Sequence, residues 1–253
     1  MKNNTRRDFI KSSAAVGSFF ILPSGLRAKS PNSKICTAHI GTGGKGRIDT
    51  MYLAKHSNVE VIGLCDVDYA HGKMDNWSKQ FKSATAFQDY REMLAKLDDK
   101  IDAVSISTPD HTHFPATMDA MERGKHVYLQ KPLTHKLMEA RQLAEFAEKK
   151  GLTTQMGIQN QSREAYRLAR HYIKEGLIGK VSKVYVWSFK TWGYDGEPFK
   201  EKSEVPDTLD WNLWLGTAPK HNYVSKVYHP GQWRKLLDFG CGTLGDMGIH
   251  IFD

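Results

Sequence analysis

From residue 35 onward the chain alternates short apolar runs with longer amphipathic stretches. The runs Ile35–Ile40, Val59–Cys65, Ala84–Phe87, Ala103–Ser107, His126–Leu129 and Thr153–Met156 are too short for stable helices, and several are near-continuously apolar. That is the pattern of strands buried on both faces. Between them apolar positions recur with helical period, most clearly over Asp89–Leu97, Pro115–Arg123 and His135–Lys149, the last stopping at Gly151 as a helix C-terminus should. The alternation predicts an α/β protein with a doubly wound parallel sheet covered by helices on both faces.

Beyond residue 158 the pattern changes. A helix is predicted from Arg163 to Glu175, then a longer strand-like run from Val181 to Trp192, then an irregular region rich in Trp, Gly and Pro. One strand does not make a sheet, so residues 159–253 are expected to be part of an α/β open-sheet domain, and the chain is expected to be C-terminally truncated. The organisation read from the sequence is therefore a leader and linker over 1–34, a Rossmann domain over 35–158 and a partial substrate domain over 159–253.

Charge changes this picture only at the start. The net charge is +8, but the first 34 residues hold seven Lys and Arg against one acid, which places most of the excess there and argues against a nucleic-acid partner. The segment reads Thr5-Arg6-Arg7-Asp8-Phe9-Ile10-Lys11, followed by an apolar stretch from Ala14 to Leu22 and then Pro23. This is a twin-arginine export pattern, too short in its apolar part to span a bilayer, so a periplasmic or extracellular location without stable membrane insertion is expected. Three scattered cysteines form neither a disulfide framework nor a zinc cluster.

The candidate chemistry sits at the carboxyl ends of the predicted strands. Gly41-Thr42-Gly43-Gly44-Lys45-Gly46 follows the first strand and opens a helix with the spacing that lets backbone approach a pyrophosphate, so Gly41, Gly43, Gly44 and Gly46 are candidate cofactor residues. Asp66 closes the next strand, where a carboxylate accepts ribose hydroxyls and repels a 2′-phosphate, favouring NAD over NADP; Asp68 is an alternative for the same role, and capping of the next helix is the structural one. Thr108, Pro109 and His113 fall in a predicted loop at the nicotinamide end, and a His111/His113 metal pair lacks a third ligand, so no metal is expected. Gln130 and Lys131 end the fifth strand, where a lysine either lies beside the nicotinamide or is a surface residue before a helix. Asp246, His250 and Asp253 recur at helical spacing, which supports a proton-transfer pair or a plain surface ion pair. Trp192, Trp211, Trp214 and Trp233 are either core residues or sugar-stacking planes.

Taken together, Gly41 to Gly46, Thr108-Pro109, Gln130-Lys131-Pro132 and Gly245-Asp246-Met247-Gly248-Ile249-His250 resemble the Gfo/Idh/MocA family of oxidoreductases, and Tyr228-His229-Pro230-Gly231-Gln232-Trp233-Arg234 resembles an exported bacterial branch of it. The resemblance implies Lys131 and His250 as the catalytic pair with Asp246 assisting, Gln130 beside the cofactor, Trp233 and Arg234 toward substrate, and NAD as cofactor. Where the family usually has Glu before Lys-Pro, this chain has Gln130. The resemblance implies oxidation of a sugar alcohol, with two alternatives: a redox-neutral glycosidase that retains its NAD, or a catalytically inert or sensor-like cofactor binder. A homo-oligomer is left open.

Overall fold

The computed structural model describes residues 34–252; the predicted leader and Asp253 lie outside them. Six parallel strands form one sheet: β1 (Ile35–Ile40), β2 (Val59–Cys65), β3 (Thr85–Phe87), β4 (Ala103–Ile106), β5 (His126–Gln130) and β6 (Thr154–Gly157), in the order β3-β2-β1-β4-β5-β6. Each of the six runs predicted before residue 158 is a strand, with ends moved by at most a residue. The order reverses between β1 and β4, and the loops leaving their carboxyl ends diverge there, opening a crevice. Ala38, Ile40, Val104, Ile106 and Leu129 fill the sheet centre and pack against Met93, Leu94, Ala120 and Met121 from the helices.

The helices are α1 (Gly44–Ala54), α2 (Tyr69–Gly72), α3 (Met74–Gln80), α4 (Tyr90–Lys96), α5 (Asp110–Glu122), α6 (Leu137–Lys150), α7 (Glu164–Lys174), α8 (Trp211–Leu215) and α9 (Ile249–Ile251). Helix α6 ends at Gly151 with φ of 64°, the left-handed cap expected of it. Helix α5 begins five residues before the predicted Pro115 start. Pro109 already supplies the extended backbone of an N-cap, and Pro115 sits inside the helix, where its missing N–H removes a single bond of the ladder. His111, Thr112 and His113 are thus first-turn helix residues rather than a loop.

The strand expected over Val181–Trp192 does not form. Val184, Tyr185, Trp187 and Phe189 stay exposed, because strand propensity is realised only in a ladder and among the described residues no strand pairs with this segment. Residues 207–245 instead build a second core in which Trp211 stacks on Trp214 at 4.6 Å and Tyr228, Trp233 and Phe239 pack around them. This unit is sewn onto the carboxyl end of the sheet: Asp210 N–H donates to Val67 O at 2.9 Å, Tyr69 N–H to Thr208 O at 2.9 Å, and His111 N–H to Phe239 O at 3.2 Å.

Candidate active site

The glycine loop is shaped by contacts that exclude side chains. Gly41 has φ of 79°, and a Cβ on Gly46 would lie 1.8 Å from the Gly41 carbonyl oxygen, backbone against backbone. The first-turn N–H groups of α1 have no intrahelical acceptor and face the mouth of the crevice, which suits them to a phosphate. Gly43 and Gly44 line the same cavity.

Asp66 holds this loop from below. Its Oδ2 accepts the N–H groups of Thr42 at 2.8 Å and Gly43 at 3.1 Å, and Oδ1 accepts that of Asp68 at 3.1 Å. Burial pushes its carboxyl above the usual range, against the pull of these donors and of His71. With two acceptor directions on each oxygen, one on Oδ1 remains for a ribose hydroxyl.

Asp68 does not share that role. Its Oδ1 caps α2 through Ala70 N–H at 3.0 Å and takes the Thr208 hydroxyl at 2.9 Å, while Oδ2 lies 2.9 Å from His229 Nε2. Burial opposes its ionisation, but the hydrogen bonds from His229, His71 N–H and Thr208 hold it well below the usual carboxylate range. Asp68 is the anchor of the C-terminal unit. His229, Leu213 and Trp214 then roof the cavity beside Val67 and Tyr90, so the end of the crevice beside Asp66 is covered by residues far away in sequence.

His113 is moved from the predicted cofactor set. It is fully buried, with its ring nitrogens 2.8 Å from Pro132 O and 3.0 Å from Thr108 O, and ties together the two loops that carry Thr108 and Lys131. Thr108 and Pro109 do line the cavity. His111 turns the other way, with Nε2 3.0 Å from Trp214 O, and burial lowers it to about 4. Among the described residues no group of three His, Cys, Asp or Glu is placed to hold a metal.

At the opposite end of the cavity Lys131 emerges from β5. Its ammonium donates to Asp246 Oδ1 at 2.6 Å and to the Asp246 carbonyl at 2.7 Å. Arg234 Nε donates to the same carboxylate oxygen at 3.3 Å, and its guanidinium lies 4.2 Å from the centre of the Trp233 ring. Trp233 is 5% exposed, so the face expected to stack on a sugar is covered by Arg234. Burial opposes the Asp246 charge, yet Lys131 and Arg234 together keep its carboxyl below the usual range.

No hydrogen bond or ion pair joins Asp246 to His250, although the Asp246 charge still acts on the imidazole. A π-helical turn over Leu244–Gly248 widens the turn, so that the i, i+4 positions no longer fall on one face, and the carboxylate bonds Lys131 instead. His250 instead keeps Nδ1 without a hydrogen-bond partner, and burial and the Lys131 charge lower it below its ordinary value against the pull of Asp246. Lys131, Arg234 and Gln130 line the cavity, whereas Asp246 and His250 do not.

The sequence reading missed Val67, His71, Tyr90 and Leu213 as lining residues, named Trp214 only as a core or sugar-stacking residue, and quoted His229 without a role. The Asp68–His229 pairing spans 161 residues, beyond reach of local pattern.

Comparison with known proteins agrees with this geometry. Residues 35–158 match an oxidoreductase family profile described as an NAD-binding Rossmann fold, and residues 162–253 match the C-terminal alpha/beta domain of the same family. A scyllo-inositol 2-dehydrogenase (NAD(+)) of Bacillus subtilis is 33% identical over 140 residues, 54% of this chain and 40% of that protein. A glycosyl hydrolase family 109 protein of Stenotrophomonas maltophilia is 37% identical over 126 residues, 47% of this chain and 28% of the relative. The crystal structure of myo-inositol 2-dehydrogenase from Lactobacillus plantarum superposes with a TM-score of 0.53 at 26% identity, covering 59% of this chain and 43% of that one. The chain spans about half or less of the length of the curated relatives it matches.

Proposed function

This chain belongs to the Gfo/Idh/MocA family of oxidoreductases, and from that premise we propose that it oxidises a secondary alcohol of a sugar or glycoside with NAD. The observation that carries the reading is the Lys131–Asp246–Arg234 cluster at one end of a cavity whose other end is built for a dinucleotide.

The cradle fits the cofactor. The glycine loop closes against Ser107 and itself only because Gly41 and Gly46 lack side chains, a tight turn that suits the approach of a pyrophosphate, and Asp66 retains one acceptor position for the adenosine ribose. When bound, the nicotinamide supplies a hydride acceptor. The chain does the rest. Asp246 fixes the Lys131 ammonium so that its remaining N–H is free to hold the alcohol oxygen. His250, whose protonation burial and the Lys131 charge disfavour, stands behind the cavity wall beside Lys131, where its exposed ring edge rather than the buried Nδ1 would have to reach the hydroxyl proton. The buried aromatic unit around Trp214 and Trp233 excludes water from one side of the cavity.

A second reading is favoured by the roof. A dinucleotide covered by Leu213, Trp214 and His229 exchanges slowly, which suits a cofactor that is kept rather than consumed. In that case a sugar is oxidised, undergoes elimination and water addition, and is reduced again by the same NAD, so the net reaction is glycoside hydrolysis. The similarity to a glycosyl hydrolase family 109 protein supports this alternative. The twin-arginine segment supports export of the folded, loaded protein to a compartment poor in free NAD.

The test has two parts. The purified protein is denatured and assayed for released NAD by absorbance and mass, then native protein is incubated with a panel of sugars and aryl glycosides. Substrate-dependent NADH formation supports the oxidoreductase; one retained NAD per chain with aglycone release and no net NADH supports the glycosidase. Lys131→Ala and His250→Ala should each lower turnover by about 10²-fold or more with NAD still bound. Normal turnover in both variants sinks the catalytic assignment.

A further inference from the structure

Asp49, in the second turn of α1, is a buried carboxylate that the chemistry above does not use. Its side chain is 5% exposed, and a charge so buried is stable only if its lone pairs are taken up. The donors come from three different elements. Lys45 on α1 pairs with Oδ1, while the Ser107 hydroxyl after β4 reaches Oδ2 at 3.0 Å and the Gln130 amide at the end of β5 reaches the same oxygen at 2.8 Å. Lys45, Ser107 and Gln130 all line the cavity, and Asp49 stands behind them as their common acceptor.

The other side of Gln130 is equally fixed. Its Oε1 accepts the backbone N–H of Lys131 at 3.3 Å, and a side-chain hydrogen bond joins it to Tyr128. Gly157 faces it closely: a Cβ there would lie 2.6 Å from Gln130 Nε2. The amide therefore has one orientation, with nitrogen toward Asp49 and oxygen toward the Lys131 backbone. A carboxylate at position 130 has no proton to give to Asp49.

We propose that Asp49 and Gln130 are a positioning pair, in which the buried Asp49 charge orients Gln130 and through it sets the Lys131 backbone and the wall residues Lys45 and Ser107 against the cofactor. The proposal rests on the NAD reading of the cavity but not on the identity of the alcohol. It also accounts for glutamine at this place: the negative charge behind the wall is carried by α1, and β5 must supply a donor to it.

The test is NAD affinity of the full chain, read by quenching of tryptophan fluorescence between about pH 5.5 and pH 8 in four forms: wild type, Gln130→Glu, Asp49→Asn and Asp49→Asn/Gln130→Glu. In Gln130→Glu two carboxylates meet at hydrogen-bond distance, so affinity falls at least ~10-fold at about pH 8 and returns to within ~3-fold of wild type at about pH 5.5, where one shared proton restores the bond. The charged and titratable groups around the pair are Lys45 from α1 and Tyr128 and Lys131 from β5, and only Lys45 touches Asp49 directly. Asp49→Asn alone weakens binding at every pH. The double variant exchanges donor and acceptor and binds within ~3-fold of wild type throughout.

Wild-type affinity in Gln130→Glu at high pH overturns the pair, as does a loss that neither acid nor Asp49→Asn restores. If Gln130→Glu fails to fold, recovery of folded protein in the double variant supports the pair and failure of both overturns it. A wild-type chain that binds no NAD counts against the cofactor reading instead. The same pH-dependent rescue is then sought in thermal unfolding of the four forms, and its absence overturns the pair.

Discussion

His111 joins the Rossmann sheet to the C-terminal unit in a way that acid should undo. Its ring is buried between Trp214 and Phe239, Nε2 donates to Trp214 O at 3.0 Å, and Nδ1 has no partner. A second proton would put a charge in this buried site, and burial lowers the group from 6.5 to about 4 against the pull of the Trp214 and Phe239 carbonyls. The unfolded chain binds that proton near 6.5 and the folded chain does not, so between these values stability rises with pH. The contribution is complete above 6.5 and is lost as pH falls toward 4, by about 3 kcal/mol in full and about 2 kcal/mol between about pH 7.5 and pH 5. His39, buried beneath the glycine loop between Thr37 and Thr50 and also lowered to about 4, acts in the same direction. Asp66 and Asp110, which burial raises, act in the opposite direction at the acid end. Comparison with His111→Gln, which keeps a donor for Trp214 O but does not titrate, cancels these other groups. Urea unfolding followed by tryptophan fluorescence should show the stability difference between the two proteins shifting by about 2 kcal/mol over that range, wild type losing ground in acid. Parallel stability curves would refute the reasoning, because they would mean that His111 binds its proton equally in the folded and unfolded states.

His229→Phe removes the partner of Asp68 while keeping a ring in the roof, and should raise the NAD dissociation rate by about tenfold or more in a stopped-flow displacement assay; an unchanged rate would show that the roof does not hold the cofactor. Gly46→Ala sets a methyl against the Gly41 carbonyl and should destabilise the fold by about 1–3 kcal/mol and abolish NAD binding by fluorescence titration, whereas retained affinity would mean that the loop relaxes freely.

The sheet was legible because a buried parallel strand leaves a contiguous mark on the sequence: Val59–Cys65 and Ile35–Ile40 are apolar enough to be read without knowing their neighbours. Helix α6 was legible through its Gly151 cap. The Val181–Trp192 run carried the same mark, yet a strand requires a partner that its own residues do not specify. At the site, the placement of Lys131 and the glycine loop in the cavity was legible because it depends on position at a strand end. Asp246 was found as a residue but misread as a partner of His250, since the π turn over Leu244–Gly248 breaks the helical spacing on which that pairing relied. The alternative of Asp68 as ribose acceptor and the placing of His113 in the cofactor set fail for a related reason: each residue looked free in its own segment and is taken up by groups elsewhere, Asp68 by Thr208 and His229, His113 by Pro132.

The cavity's two halves also differ in when they come to exist. Its floor is complete once β5 has been made, and its ceiling is built from Leu213, Trp214 and His229, which leave the ribosome later. Synthesis proceeds from the N-terminus at a pace that lets early segments fold first. A nascent chain therefore presents the dinucleotide half of the cavity as an open groove for an interval and then covers it with its own later residues.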